Sequence, residues 1–284
     1  MSSSVKALMS KLANRGPHRV LRGDLAIAGQ PGVVYTPGSG LGLPAVAFAH
    51  GWLAGADNYR TLLEHLASWG IVAVAPNNER GPMPSHVGLA ADLRTCLDIC
   101  TGVRLGAGDI SVNRERLAFA GHGMGGGAAV LAAARRPVAA VAALYPAPTS
   151  PAAESVAPEV KAPGLIVAAA SDIDGPDANA AKLAAAWGGD AVLRAVDKAS
   201  HNGLAEGRRV LAALGAGKAD KKTQKATRAL LTGFLLYTLT ADKTYSDFAD
   251  PDATVPKTHV IDPHAPQDEE HRGRLGQVSQ LLGR

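Results

Sequence analysis

The seven residues Gly121-His122-Gly123-Met124-Gly125-Gly126-Gly127 follow directly on the apolar run Arg116-Leu-Ala-Phe-Ala and lead into a helix-forming stretch. A strand that turns at once into a helix through small residues is the arrangement that presents a nucleophile, in the pattern G-x-S-x-G. Gly121 and Gly125 hold the two small positions, and Gly123 stands at the centre, where serine is expected. The same stretch also satisfies G-x-G-x-x-G through Gly121, Gly123 and Gly126, a pattern that cradles a dinucleotide. That use wants an acid at the end of the next strand, and the next apolar run ends Leu144-Tyr145-Pro146-Ala147 without one. It also usually belongs to the first strand of its unit, and four strand-like runs precede this one. A third reading is a tight turn in which glycine serves packing alone.

Nucleophilic acyl transfer needs a histidine base whose second ring nitrogen is held by a carboxylate. The usual chain order is nucleophile, acid, histidine. The apolar run Gly164–Ala170 leads into Ser171-Asp172-Ile173-Asp174, and Ala191–Val196 leads into Asp197-Lys198-Ala199-Ser200-His201. Gly123, Asp172 or Asp174, and His201 therefore stand in the expected order. Asp172 is preferred because it lies closer to the strand end. A loop after an early strand must also supply a backbone N–H for the oxyanion. Pro44–Ala49 ends in His50-Gly51-Trp52, so the expected donors are the N–H groups of Trp52 and Met124. His50 is read as a brace of this loop and His122 as a packing residue of the turn, not as bases.

The elements that must position these groups follow from apolar runs and turn signals. Val20–Ala28 and Val33–Tyr35 read as an antiparallel pair joined through Gly29-Gln30-Pro31-Gly32. Pro44–Ala49, Ile71–Ala75, Leu117–Ala120, Val138–Leu144, Gly164–Ala170 and Ala191–Val196 read as buried strands, the last of these closing the sheet. Helical spacing marks Asn58–Trp69, Val87–Val103, Gly125–Arg135, Ala178–Trp187, a stretch around Leu204–Leu214, and Lys221–Leu239. The alternation predicts a mostly parallel α/β sheet with helices on both faces. Residues 1–17 are expected to be a tail or short helix, 18–240 one domain, and 241–284 a partly disordered extension with one short helix at most.

The chain has 284 residues, 46% of them hydrophobic and 19% charged, enough for one large core. The net charge is +4. Its basic residues gather in Lys6, Lys11, Arg15, Arg19 and Arg22 and again from Arg208 to Arg228. With 4% aromatics and no reader motif, these groups read as solvated faces, not a nucleic-acid footprint. Cys96 and Cys100, four apart on a helix, read as buried apolar groups and not as a disulfide or zinc site. The N-terminus lacks a secretory pattern and no apolar run is long enough to span a membrane, so a cytoplasmic protein is expected.

Phe48-Ala49-His50-Gly51-Trp52, Leu66-Ala67-Ser68-Trp69-Gly70-Ile71-Val72-Ala73-Val74, the elbow Gly121–Gly127 and Ala199-Ser200-His201 together resemble the α/β-hydrolases. The likeness is to the dienelactone-hydrolase, chlorophyllase and polyester-hydrolase (cutinase-like) branch, whose elbow usually reads Gly-His-Ser-Met-Gly-Gly. It covers roughly residues 20–240 of the chain. The resemblance implies an eight-stranded α/β-hydrolase sheet, no cofactor, no metal, and a small-molecule ester or acid as ligand. Carried over, His201 is the base, Asp172 the acid, and Trp52 and Met124 the oxyanion donors. The departure is Gly123, which has no side chain to acylate; loss of a triad nucleophile costs about six orders of magnitude in turnover. The expectation is a catalytically inactive or impaired homologue that keeps its pocket. Two alternatives stand beside it: a Ser-to-Gly variant of an active esterase, and a hydrolase in which His201 activates water. Ser171 and Ser200 are the serines nearest in sequence to the expected acid and base.

Overall fold

A computed structural model describes residues 4–175, 177–207 and 219–265. Its strands are β1 (Val20–Asp24), β2 (Gly32–Pro37), β3 (Gly40–Ala49), β4 (Val72–Pro76), β5 (Ile110–His122), β6 (Ala140–Leu144), β7 (Gly164–Ala169), β8 (Asp174–Gly175), β9 (Ala178–Asn179), β10 (Ala191–Val196) and β11 (Thr258–Val260). The helices are α1 (Val5–Leu12), α2 (Arg60–Ser68), α3 (His86–Gly102), α4 (Met124–Ala133), α5 (Ala153–Val156), α6 (Ala180–Ala185) and α7 (Lys221–Thr240). None of the described helices is long and apolar enough to cross a membrane.

One sheet runs β1-β2-β4-β3-β5-β6-β7-β10-β11. The six strands from β4 to β10 pair in parallel, and β1, β2 and β11 are antiparallel at the two edges. Strand alternation divides the core into two layers. Val46 and Phe48 of β3, with Ala140, Ala142 and Leu144 of β6, pack under α1, α2 and α7. Ala45, Ala47 and Ala49, with Val141 and Ala143, pack under α3, α4 and α6. Both faces are thus covered, which is why the central strands are continuous apolar runs and not alternating ones. Cys96 and Cys100 are buried and unbridged in the second layer.

The structure departs from the sequence expectations in places with identifiable causes. Among the described residues the sheet has nine strands instead of eight, and Ala191–Val196 does not close it. β11 pairs antiparallel with β10, with Arg194 opposite Val260. The sequence signal for β11 is weak because the strand is three residues long and half exposed. Arg194 explains why the chain stays here. Its fully buried guanidinium donates to the carbonyls of Asp247 (3.0 Å), Asp250 (2.6 Å) and Ala253 (3.2 Å), tying the turns after α7 to the sheet. Hydrogen bonds from a charged donor are the strong kind.

β1 ends at Asp24, and Leu25–Ala28 is a 3-10 turn, not strand. The Asp24 side chain accepts from Ala26 N–H (2.9 Å) and Gly29 closes the turn with φ 83°. α6 begins at Ala180 because Ala178–Asn179 first pairs back on Asp174–Gly175. α1 is an ordered helix whose buried Leu8, Met9 and Leu12 join the first core layer. The stretch around 204–214 is described only to residue 207, beginning with the 3-10 turn His201–Leu204. The rest of it and the expected short helix beyond 265 lie outside the described residues.

Candidate active site

The expected site residues follow the carboxyl ends of β3, β5, β7 and β10, four strands of the parallel block. That edge is where open α/β sheets bind ligands. β5 enters the elbow and α4 starts at Met124, with Gly123 at φ 57°, ψ −125°. Its N–H donates to the Leu144 carbonyl (3.0 Å), and its carbonyl accepts from Gly126 (2.9 Å) and Ala147 (3.1 Å).

The elbow glycines are not equivalent. A Cβ on Gly121 would lie 2.0 Å from the Gly125 carbonyl oxygen, and one on Gly125 would lie 2.4 Å from that of Ala49 and 2.5 Å from that of His50. Packing forbids any side chain at either place. A Cβ on Gly123 would meet nothing closer than Gly51 Cα at 3.8 Å and His201 Nε2 at 3.9 Å, both ordinary contacts. Only the positive φ favours glycine there. Packing alone therefore does not account for Gly123. A hydroxyl one bond beyond that Cβ would come within hydrogen-bond reach of His201 Nε2.

A cavity of about 600 Å³ opens at this point, and Trp52, Gly123, Met124, Asp177, His201 and Asn202 are among the residues that line it. Trp52 and Met124, the expected oxyanion donors, thus face the same space as Gly123 and His201. Met124 is the first residue of α4, where backbone N–H groups lack partners within the helix. Trp52 is half exposed, its indole N–H donating to the Pro82 carbonyl (3.0 Å).

His201 Nδ1 faces Asp172 Oδ2 at 3.8 Å. This is an ion-pair separation, longer than the hydrogen bond expected between base and acid. Asp172 sits in a tight turn in which its N–H donates back to the Ala169 carbonyl (2.9 Å), and its side chain is about one third exposed. Burial lowers the His201 pKa, and the charges of Asp172 and Asp177 partly oppose the shift. The ring is therefore neutral at neutral pH, the form of a base.

His50 is buried, its Nε2 donating to the Asn78 carbonyl (2.7 Å) across the loop. His122 does more than pack. Its Nε2 donates to the His201 carbonyl (2.8 Å), since a carbonyl only accepts, and its Nδ1 is hydrogen-bonded to the Tyr59 hydroxyl (2.7 Å). That hydroxyl in turn accepts from Gly51 N–H (3.0 Å). One buried chain of bonds thus fixes the His-Gly loop, the elbow and the histidine loop relative to each other. Sequence reasoning missed Tyr59 and Asp177. Asp177 lies five residues beyond Asp172 in the same acid-rich loop and was within reach of the sequence. Tyr59 sits at the start of α2 and carries no motif signal.

The PET hydrolase-like family model matches residues 5–195. No match is found among the curated proteins. Of the branches that the motifs resemble, the match falls on the polyester hydrolases. With two thirds of its length matched, and the sheet order and elbow described above, the chain belongs to the PET hydrolase-like family of the α/β-hydrolases.

Proposed function

We propose that this chain is a member of its hydrolase family that lacks the nucleophile and keeps the pocket, holding an ester-like or acidic small molecule without forming an acyl-enzyme. The observation that carries the reading is the space at Gly123. A side chain would fit there with its Cβ 3.9 Å from His201 Nε2, and the chain has none. In this reading His201 is the base, Asp172 the acid partner, and the N–H groups of Trp52 and Met124 the oxyanion donors. These groups form a polar end to the cavity suited to a carbonyl or carboxylate oxygen.

In a serine-bearing relative, His201 Nε2 would take the hydroxyl proton as oxygen adds to the ester carbonyl, and the oxyanion donors would hold the resulting charge. With glycine that bond cannot form. A second reading follows from the same geometry and the lowered His201 pKa: the neutral ring is a competent base for a water in the open space. His201 would take the proton of that water, hydroxide would add to the carbonyl, and the departing alkoxide would recover the proton. Such a route leaves no covalent intermediate.

Intact-mass measurement after treatment with an activated phosphonate tests the main reading. The expected result is unchanged mass. A stoichiometric adduct on Ser171 or Ser200 would reveal a replacement nucleophile and overturn it. Steady turnover of a short ester without an adduct, abolished by His201→Gln, would select the water route instead.

A further inference from the structure

The two basic stretches that read as solvated faces in the sequence converge in the fold. Arg15, just beyond α1, and Lys225 and Arg228 of α7 line a second cavity, of about 320 Å³, together with Thr61, Glu64 and His65 of α2. It shares no residue with the cavity at Gly123.

Two of its nitrogen atoms are buried without hydrogen-bond partners among the described residues. His65 is 6% exposed, and among the described residues its Nε2 meets no hydrogen-bond partner. The Nε of Arg228 is likewise buried and unpaired. Each such group is destabilising unless something completes it. The charges around them are unbalanced. Glu64 is taken up by Arg60 at 2.8 Å, and Glu206, which accepts from Thr61 (2.8 Å), is the carboxylate acting on Arg228. Arg15 and Lys225 add two further cations, both exposed. Burial and the Arg228 charge push the His65 pKa down to about 4, against the Leu12 carbonyl, so its ring is neutral at neutral pH.

We propose that this cavity between α1, α2 and α7 binds a small oxyanion of the phosphate class. A guanidinium flanked by two further cations suits an anion with several acceptor oxygens. The second requirement is His65 Nε2, which is an acceptor in the neutral ring, because the other ring nitrogen donates to the Leu12 carbonyl. Hydrogen phosphate carries acceptor oxygens for the cations and an O–H that can donate to His65 Nε2. A carboxylate offers acceptors alone. Because the two cavities are separate, this site stands or falls independently of the function proposed for the cavity at Gly123.

The test is titration of the full chain with inorganic phosphate at constant ionic strength, followed by calorimetry and by the His65 ring resonances. The expected result is saturable one-to-one binding that shifts those resonances. Arg228→Gln should weaken it about tenfold, and Lys225→Gln or Arg15→Gln about threefold each, as loss of charge-assisted bonds implies. Arg114→Gln removes the same charge from an exposed position elsewhere and should leave the affinity unchanged. Absence of saturable binding would overturn the proposal. So would equal weakening by Arg114→Gln and Lys225→Gln, both exposed positions that leave the fold intact.

Discussion

The elbow between β5 and α4 and the loop that carries Asp172 after β7 both leave the carboxyl end of a buried parallel strand, and they are held in different ways. At the elbow every backbone group of Gly123 is paired, and a Cβ at 121 or 125 would collide with backbone atoms. At Asp172 a short turn returns on Ala169, the side chain is partly in water, and its nearest functional partner is 3.8 Å away. The elbow is fixed by steric exclusion, which tolerates almost no change. The acid loop is fixed by screened electrostatics, which tolerates a great deal. The part held by packing is tightly fixed, while the Asp172–His201 pair sits loose.

This difference orders the expected effects of substitution. Gly125→Ala should be the most damaging, since its Cβ would lie 2.4 Å from the Ala49 carbonyl oxygen. We expect a loss of more than about 3 kcal/mol, in the range of severe core overpacking, or failure to fold. Thermal or urea unfolding measures it, and a near-native stability would contradict the steric account of the elbow. His122→Phe keeps the ring volume and removes the hydrogen bonds to the Tyr59 hydroxyl and to the His201 carbonyl. A loss of about 2 kcal/mol is expected from the removal of these bonds.

Asp172→Asn should alter stability by no more than about 0.5 kcal/mol, as for a partly exposed ion pair. Its signature is in the titration of His201. The Asp172 charge raises the His201 pKa against burial, so the variant should titrate lower still, readable by proton NMR of the ring. In the unchanged chain the folded pKa of His201 already lies below the unfolded value near 6.5. The unfolded state therefore binds more protons just below that pH. Stability should fall as pH drops from about 6.5 toward the folded pKa, and Asp172→Asn should extend that window downward.

What the sequence made legible follows the same division. The elbow, the His-Gly loop and the order of the strands were readable because glycine spacing and apolar runs record steric demands locally. The placement of Trp52, Met124 and His201 around one cavity followed from that order. The Tyr59–His122 link was not readable, because it joins residues 63 apart through a tyrosine that no local pattern distinguishes. β11 was hidden for a similar reason. Three half-exposed residues leave no periodic trace, and the buried Arg194 that holds the segment before them reads in sequence as an ordinary surface arginine. The basic groups of α1 and α7 looked solvated one at a time; only the packing of the two helices shows that Arg15 and Arg228 share a cavity.

The central proposal is that the groups around Gly123 can support acyl transfer once a nucleophile is supplied. Gly123→Ser tests it most directly. The backbone at φ 57° should make the variant about 1–3 kcal/mol less stable, since serine adopts that conformation under strain. Its activity on a panel of short and polymeric esters, with intact mass after phosphonate treatment, is the measurement. We predict a single adduct at position 123 and ester turnover raised by several orders of magnitude over the unchanged chain. A folded Gly123→Ser protein that takes no adduct and hydrolyses no ester would contradict it.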